Sequence, residues 1–259
     1  MRSAEGEDMA TTQTPASDLW WPTLNAPGFP AVHCVGHAGA WPGAFRALAR
    51  CLDGRATVRA LRLPGRDRRL AEPPSDDPDG TVATAAAALP PEDGPALVVG
   101  VCTGAYLAWR LAARWEQVRP RPAGRRALVA VGAGAPDGSH RLRALSTLDG
   151  DAIRRRLARS GATAPELLDD EEFRDVIVAA YRADIALAAA ALPPARLRQP
   201  ILAVSGEHDD LTADEVAGWR RLTAATVSWH AIPGAAHWVV TERPDRLADR
   251  LCRWLTGPP

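Results

Sequence analysis

The sequence predicts an α/β protein: a mostly parallel central sheet, helices on both faces, and an inserted helical lid. Three observations carry this expectation. From Ala31 onward, short apolar runs alternate with segments of helical period. The runs at 31–35, 96–101 and 127–131 are apolar on both faces, as strands of a sheet covered on both sides should be. The stretch from about 139 to 198 interrupts the alternation with helical signals only. A chain of 259 residues suits one core domain with such a lid.

The elements follow in order. Residues 1–29, rich in Ser, Thr, Asp and Pro, are expected to form a flexible N-terminal tail, anchored at its end by Trp20 and Trp21. The domain proper is expected over 30–259. Strand 31–35 closes at Gly36, and helix 43–52 places Phe45, Leu48, Ala49 and Leu52 on one face. Strand 57–63 stops at Pro64-Gly65. An Ala-rich helix over 79–89 ends before Pro90-Pro91. Strand 96–101 leads directly into helix 104–115, and strand 127–131 ends in Gly132-Ala133-Gly134. In the lid, two or three helices are expected, including 151–159 and a long one from about 170 to 192 that opens on acidic residues. Strands 201–204 and 226–232 and a closing helix over 244–255 complete the chain.

Composition excludes several function classes. Lys+Arg and Asp+Glu both number 31, so nothing favours nucleic acid or an anionic membrane as a partner. All 31 basic residues are Arg, which reads as codon bias rather than mechanism. The four cysteines have neither CxxC nor zinc-finger spacing, so no metal site is expected. No apolar run reaches membrane-spanning length, and residues 1–7 do not lead into a signal-peptide core. A cytoplasmic monomer with free thiols is the expectation.

Strand 96–101 runs straight into Gly100-Val101-Cys102-Thr103-Gly104, followed by a helix. This is G-x-C-x-G, the nucleophile elbow of the α/β-hydrolase fold with Cys in place of Ser. The nucleophile of such an elbow sits on a strained turn, across which side chains two residues either side would collide; both positions therefore want Gly. The helix N-terminus beneath favours a thiolate and an oxyanion. The alternative is a small cysteine packed under a turn, since free Cys is commonly buried.

Context favours the nucleophile. In this fold the acid and then the base follow downstream. Asp209, just past strand 201–204, is the preferred acid, with Asp210 and Glu207 as rivals. His237, on a small-residue loop after the last strand, is the expected general base. His33 reads as a core residue, and His140 and His230 as surface groups. The Gly-rich loop His37-Ala38-Gly39 follows the first strand, so the backbone N–H groups of Ala38 and Thr103 are expected to form the oxyanion hole. His37, Trp41 and Trp238 are candidate substrate-binding residues. Arg66, Arg68 and Arg69 read as a solvated loop, with an acidic partner as the alternative. Asp184 lies on an otherwise apolar helix stripe and needs a partner if buried; an Arg that holds the lid is preferred.

These residues together resemble the type II thioesterases of polyketide and nonribosomal peptide assembly lines. The resemblance runs through His37-Ala38-Gly39, Leu61-Arg62-Leu63-Pro64-Gly65-Arg66-Asp67, Gly132-Ala133-Gly134-Ala135-Pro136, Pro165-Glu166-Leu167-Leu168, Tyr181-Arg182-Ala183-Asp184, Ser205-Gly206 to Asp209, and His237. It implies an acyl or aminoacyl thioester carried on the phosphopantetheine of an acyl or peptidyl carrier protein, with no further cofactor. The family usually has Gly-His-Ser-Met-Gly at the elbow and a loop one residue shorter before the His; here Cys102 and Ala235-Ala236 depart from it.

A cysteine changes the chemistry. Attack on a thioester exchanges one thioester for another and keeps the acyl group activated, whereas serine would give a lower-energy oxyester. The expectation is hydrolytic release through a Cys102–His237–Asp209 triad. The alternatives are transfer of the acyl group to another thiol, amine or hydroxyl, and a non-catalytic carrier-binding module.

Overall fold

The structure, a computed structural model, describes residues 15–28, 30–92, 94–119, 125–136, 140–161, 163, 165–190 and 195–257. Helix α1 (Ala16–Trp20) precedes β1 (Ala31–Val35), α2 (Arg46–Cys51), β2 (Thr57–Ala60) and α3 (Pro78–Ala87). Strand β3 (Ala96–Val101) feeds α4 (Gly104–Val118), and β4 (Arg126–Val131) leads to four consecutive helices: α5 (His140–Ser146), α6 (Gly150–Ser160), α7 (Pro165–Asp169) and α8 (Glu171–Ala189). The chain closes with β5 (Ile201–Gly206), α9 (Ala213–Ala217), β6 (Val227–Ile232), α10 (Val239–Glu242) and α11 (Pro244–Thr256). Side-chain caps fix several helix starts: Asp77, Asp149 and Asp170 accept from backbone N–H groups of α3, α6 and α8, and Thr212 and Glu215 form a capping box on α9. Among the described residues, no helix is long and apolar enough to cross a membrane.

The six strands form one all-parallel sheet in the order β2-β1-β3-β4-β5-β6. Alternation along each strand sends side chains to two cores. Val98, Leu128 and Ala130 pack with Trp109, Leu111 and Trp115 of α4. Leu97, Val99, Val129 and Val131 pack with Leu247, Leu251 and Leu255 of α11 on the other face. The chain leaves β1 toward β2 but leaves β3 toward β4. The strand order therefore reverses between β1 and β3, the place where open α/β sheets form a crevice at their carboxyl ends. Gly36 to Gly39 and Cys102 both emerge there.

Helices α6, α7 and α8 bring a small core of their own, in which Ile153, Leu157, Leu168, Ile177, Tyr181 and Ile185 close over Ala38. Asp184 of α8 is buried and finds the arginine its position called for. Arg66 donates from Nη2 to Oδ1 at 2.7 Å and from Nη1 to Oδ2 at 2.8 Å. The same carboxylate accepts from Gly39 N–H at 2.8 Å, and Arg66 also donates to Ala40 O. One ion pair thus ties the lid to the loop after β1 and to the turn after β2. A buried pair of this kind costs desolvation, and its contribution here is to fix relative position.

Several expectations need correction. Arg66 and Arg69 are buried, not solvated; of the three, only Arg68 is exposed. The flexible tail cannot extend to residue 29. Residues 15–28 pack on the domain: Trp21 is buried and donates from Nε1 to Ala85 O, and Leu24 N–H donates to Val58 O. Residues 1–14 lie outside the described residues. The lid carries four helices rather than two or three. Strand 57–63 ends at Ala60, because Arg62 N–H leaves the ladder and donates to Trp20 O. Predicted helix 43–52 opens as a 3-10 turn over Pro42–Phe45. His33 is fully buried, 3.1 Å from Glu92, as a core residue should be; the His140 side chain lies outside the described residues.

The β3–α4 turn has no spare room. A methyl group added at Gly100 would run into the Ala105 backbone and Ala108 Cβ, and one at Gly104 into the carbonyls of Val35 and Gly36. Gly100→Ala is expected to destabilise the protein by about 1–3 kcal/mol, the usual range for overpacking. Chemical denaturation measures it; an unchanged midpoint would show that the turn relaxes freely.

Candidate active site

Cys102 is held at φ 52°, in the left-handed region that a residue with a Cβ rarely adopts. Its N–H donates to Val131 O at 2.8 Å and its carbonyl accepts from Ala105 N–H at 3.0 Å. Backbone bonds from β4 and α4 therefore lock the turn, and the side chain projects above the sheet at the start of α4.

Three segments converge on the sulfur. His237, on the loop after β6, receives Asp209 at its far side: Nδ1 lies 3.2 Å from Oδ1, and the Asp209 side chain is 1% exposed. Donation from Nδ1–H leaves Nε2 as the atom available toward Cys102. That nitrogen is buried and falls short of regular hydrogen-bond geometry, so its contact with Cys102 is loose in the free enzyme, as catalytic contacts often are before substrate binds. The rival acids are occupied elsewhere. Asp210 pairs with Arg141 at 3.1 Å, and Glu207 accepts from Gly234 N–H at 2.9 Å. Asp209, Asp210 and His237 lie close enough to hold a cation. The Asp209–His237 hydrogen bond and the Arg141–Asp210 ion pair already use these groups, so the geometry favours an imidazole held in place over an ion site.

Protonation separates Cys102 from the other thiols. Burial pushes Cys34 and Cys252 up, as it does any thiol in an apolar core. Burial also pushes Cys102 up, but hydrogen bonding and charge from His237, the charge of Arg156 and the Thr103 N–H outweigh it, so its pKa falls below the ordinary thiol value. The partner shift is opposite in sign. Burial lowers His237, yet Asp209 and the Cys102 sulfur raise it to about 10. The two shifts run in the directions that favour a thiolate–imidazolium pair, with protons coming off the pair as a unit.

The residues expected around the triad divide into two groups. His37 and Trp238 are at the site. Trp238 packs edge-on against His237 at 4.8 Å and against His37 at 5.0 Å between ring centroids. Burial holds His37 down at about 4, so it is neutral, and its Nδ1 bonds Ala38 O at 2.9 Å. Trp41 is elsewhere, 6.1 Å from the Phe173 ring, lining a separate hollow of about 740 Å³ with Arg46 and Arg68. Cys102 opens instead onto a cavity of about 180 Å³ bounded by Tyr106, Arg141, Leu142, Leu145 and Arg156. Ala38 and Thr103 do meet, but not as two free donors: Ala38 N–H donates to Thr103 Oγ1 at 2.8 Å.

Sequence reasoning did not single out Arg156. It comes from α6 and donates from Nη2 to Cys102 Sγ at 3.5 Å. Its signal was present, since Ile153, Arg156, Leu157 and Ser160 share one helix face at i, i+3/i+4 spacing, and the other three are buried.

A thioesterase domain model matches residues 30–255. The chain belongs to the thioesterase domain family, whose members are hydrolases acting on thioesters. Among curated proteins it is 34% identical over 221 residues to the AMB antimetabolite synthetase AmbE of Pseudomonas aeruginosa, covering 83% of this chain and 10% of that one. It is 30% identical over 227 residues to a probable cadicidin biosynthesis thioesterase of Streptomyces griseus, covering 86% of this chain. The chain thus spans a tenth of the first relative and 61% of the second. Among solved structures, the type II thioesterase BorB from the borrelidin biosynthetic cluster superposes with a TM-score of 0.75 at 26% identity, over 92% of this chain and 98% of that one. The α/β architecture read from the sequence is the fold these thioesterases share.

The charge pattern makes a direct prediction. Alkylation of Cys102 by iodoacetamide, followed by peptide mapping across pH, should titrate below the ordinary thiol value of about 8.5. Cys34 and Cys252 should stay unmodified over the same range. A Cys102 midpoint at or above that value contradicts the ion pair.

Proposed function

We propose that this thioesterase releases acyl or aminoacyl groups from the phosphopantetheine of a carrier protein in polyketide or nonribosomal peptide biosynthesis, through an acyl-enzyme on Cys102. The observation that carries the reading is the Cys102 thiol at positive φ, its pKa pulled below the ordinary thiol value opposite the His237–Asp209 pair. The names of the relatives above supply the biosynthetic setting.

The reaction balances with these groups alone. The Cys102 thiolate attacks the thioester carbonyl carbon, and the carbonyl π pair moves to oxygen. Collapse expels the pantetheine thiolate, which takes the proton from His237 Nε2. Neutral His237 then removes a proton from the attacking water, the second oxyanion collapses, and Cys102 leaves as the thiolate beside a protonated His237. Asp209 holds the imidazole in the tautomer that both half-reactions need. The oxyanion is met by the Thr103 N–H and by the Thr103 hydroxyl. The oxygen of that hydroxyl already accepts from Ala38 N–H, which leaves its own proton to donate.

A second reading rests on the nucleophile itself. A Cys102 acyl-enzyme is a thioester, nearly isoenergetic with the substrate, so a thiol of another carrier competes with water as acceptor. Loading one carrier with a labelled acyl group, with and without an empty second carrier, separates the two. Free acid in both cases is expected for release, and label on the second carrier for transfer. Cys102→Ser should shift the product ratio toward acid, because an oxyester no longer exchanges with thiols. Thr103→Val, which keeps the shape and removes the hydroxyl, should slow turnover by about 10²-fold, the typical loss of one oxyanion donor. An unchanged rate would remove Thr103 Oγ1 from the hole. No turnover with any carrier-bound acyl group would contradict the proposal as a whole.

A further inference from the structure

Arg156 is placed unlike any other arginine near the site. Arg141 lines the same cavity, but Glu215 at 2.7 Å and Asp210 at 3.1 Å neutralise it. On α6 itself, Arg154 is paired with Asp169 at 3.0 Å. Among the described residues no carboxylate is paired with Arg156. Its guanidinium lies over the Trp238 ring, 5.3 Å from the centroid, and reaches the Cys102 sulfur at 3.5 Å. A half-buried guanidinium favours negative charge beside it, and the Cys102 sulfur lies within its reach.

We propose that Arg156 is a catalytic residue delivered by the lid, whose guanidinium pairs with the negative charge on Cys102 Sγ in the free enzyme and again when that charge returns at deacylation. This rests on Cys102 being the nucleophile. It also gives a reason for cysteine at the elbow. A serine hydroxyl is neutral at rest and would leave Arg156 without a counter-charge, whereas a thiolate is a matched partner for a polarisable, weakly hydrated cation. The lid thereby takes part in activation, because α6 carries the arginine, and Asp184 of neighbouring α8 is anchored to Arg66 and to Gly39 in the loop after β1.

The other groups facing Cys102 can be separated from it. His237 comes from the loop after β6, the Thr103 N–H from the turn before α4, Tyr106 from α4, and Tyr181 from α8. His37, from the loop after β1, faces Arg156 and His237, and its burial keeps it neutral. Both tyrosines are held protonated by burial, Tyr181 at about 12 and Tyr106 higher still. Apart from His237, then, Arg156 is the charged group acting on the sulfur.

The test is the pH profile of Cys102 alkylation in the full chain, with Arg156→Gln and Arg156→Lys beside the unsubstituted enzyme. Arg156→Gln should raise the midpoint by about one unit, as loss of an adjacent opposite charge does, and Arg156→Lys should restore most of it. Turnover of an acyl thioester below the midpoint should fall about tenfold with Gln, in step with the thiolate fraction. In a Cys102→Ser background the Gln substitution should cost less than about twofold, since no resting anion remains to be paired. An unmoved midpoint, equal loss with Gln and Lys, or the same loss in both backgrounds overturns the role of Arg156. Full turnover by Cys102→Ala would instead overturn the nucleophile itself, and the arginine's role with it.

Discussion

Cys102 occupies a backbone conformation that costs free energy for any residue with a side chain, and most of what surrounds it serves to hold it there. The φ of 52° is enforced by backbone bonds to Val131 O and from Ala105 N–H, and it is possible only because Gly100 and Gly104 leave no Cβ in the turn. Strand β3 lies between β1 and β4, so the turn emerges where the strand order reverses and the sheet opens a crevice. A residue aimed from that point meets the loops after β1, β5 and β6 at their carboxyl ends. Those loops carry Ala38, Asp209 and His237.

Electrostatics then distinguishes this thiol from its neighbours. Cys34, Cys102 and Cys252 are all buried, and burial alone pushes each thiol toward the protonated, inert form. At Cys102 an imidazolium backed by the buried carboxylate of Asp209 reverses the effect of burial. The lid adds a second cation, and Trp238 touches both, with His237 packed T-shaped against it and Arg156 over its ring. Cys102 thus lies beside His237 from the loop after β6 and Arg156 from the lid. The ion pair of Asp184 with Arg66 keeps the lid in register with the loop that carries Ala38.

What was legible in the sequence divides along the range of the forces involved. The elbow could be read because its cause is local: a collision across five residues selects glycine at fixed spacing. Asp209 and His237 could be read because they lie just beyond strand ends. The lid was legible as helices but not as a surface. Arg156 stands in a run of three arginines, and helical period alone does not say which of them turns inward or what it meets. Trp41 follows the loop after β1 as closely as Trp238 follows His237. It nevertheless turns to Phe173 and a different hollow, because sequence proximity does not fix side-chain direction. Trp21 anchors as expected, through its indole bond to Ala85 O, but the rest of 15–28 looks like tail by composition, and contacts such as the bridging of Thr23 to Arg59 make it part of the domain. Ala38 and Thr103 lie together as expected, but the Ala38 N–H is taken up by the Thr103 hydroxyl, a side-chain contact that the loop sequence does not reveal.

The proposed reaction passes through a covalent thioester on Cys102. Mixing the enzyme with a stoichiometric acyl-loaded carrier protein, quenching in acid during the first turnover and measuring intact mass with peptide mapping tests it directly. The account predicts one added acyl mass, located on Cys102 and absent from Cys102→Ala. Turnover with no adduct, or with the adduct on another residue, would contradict it.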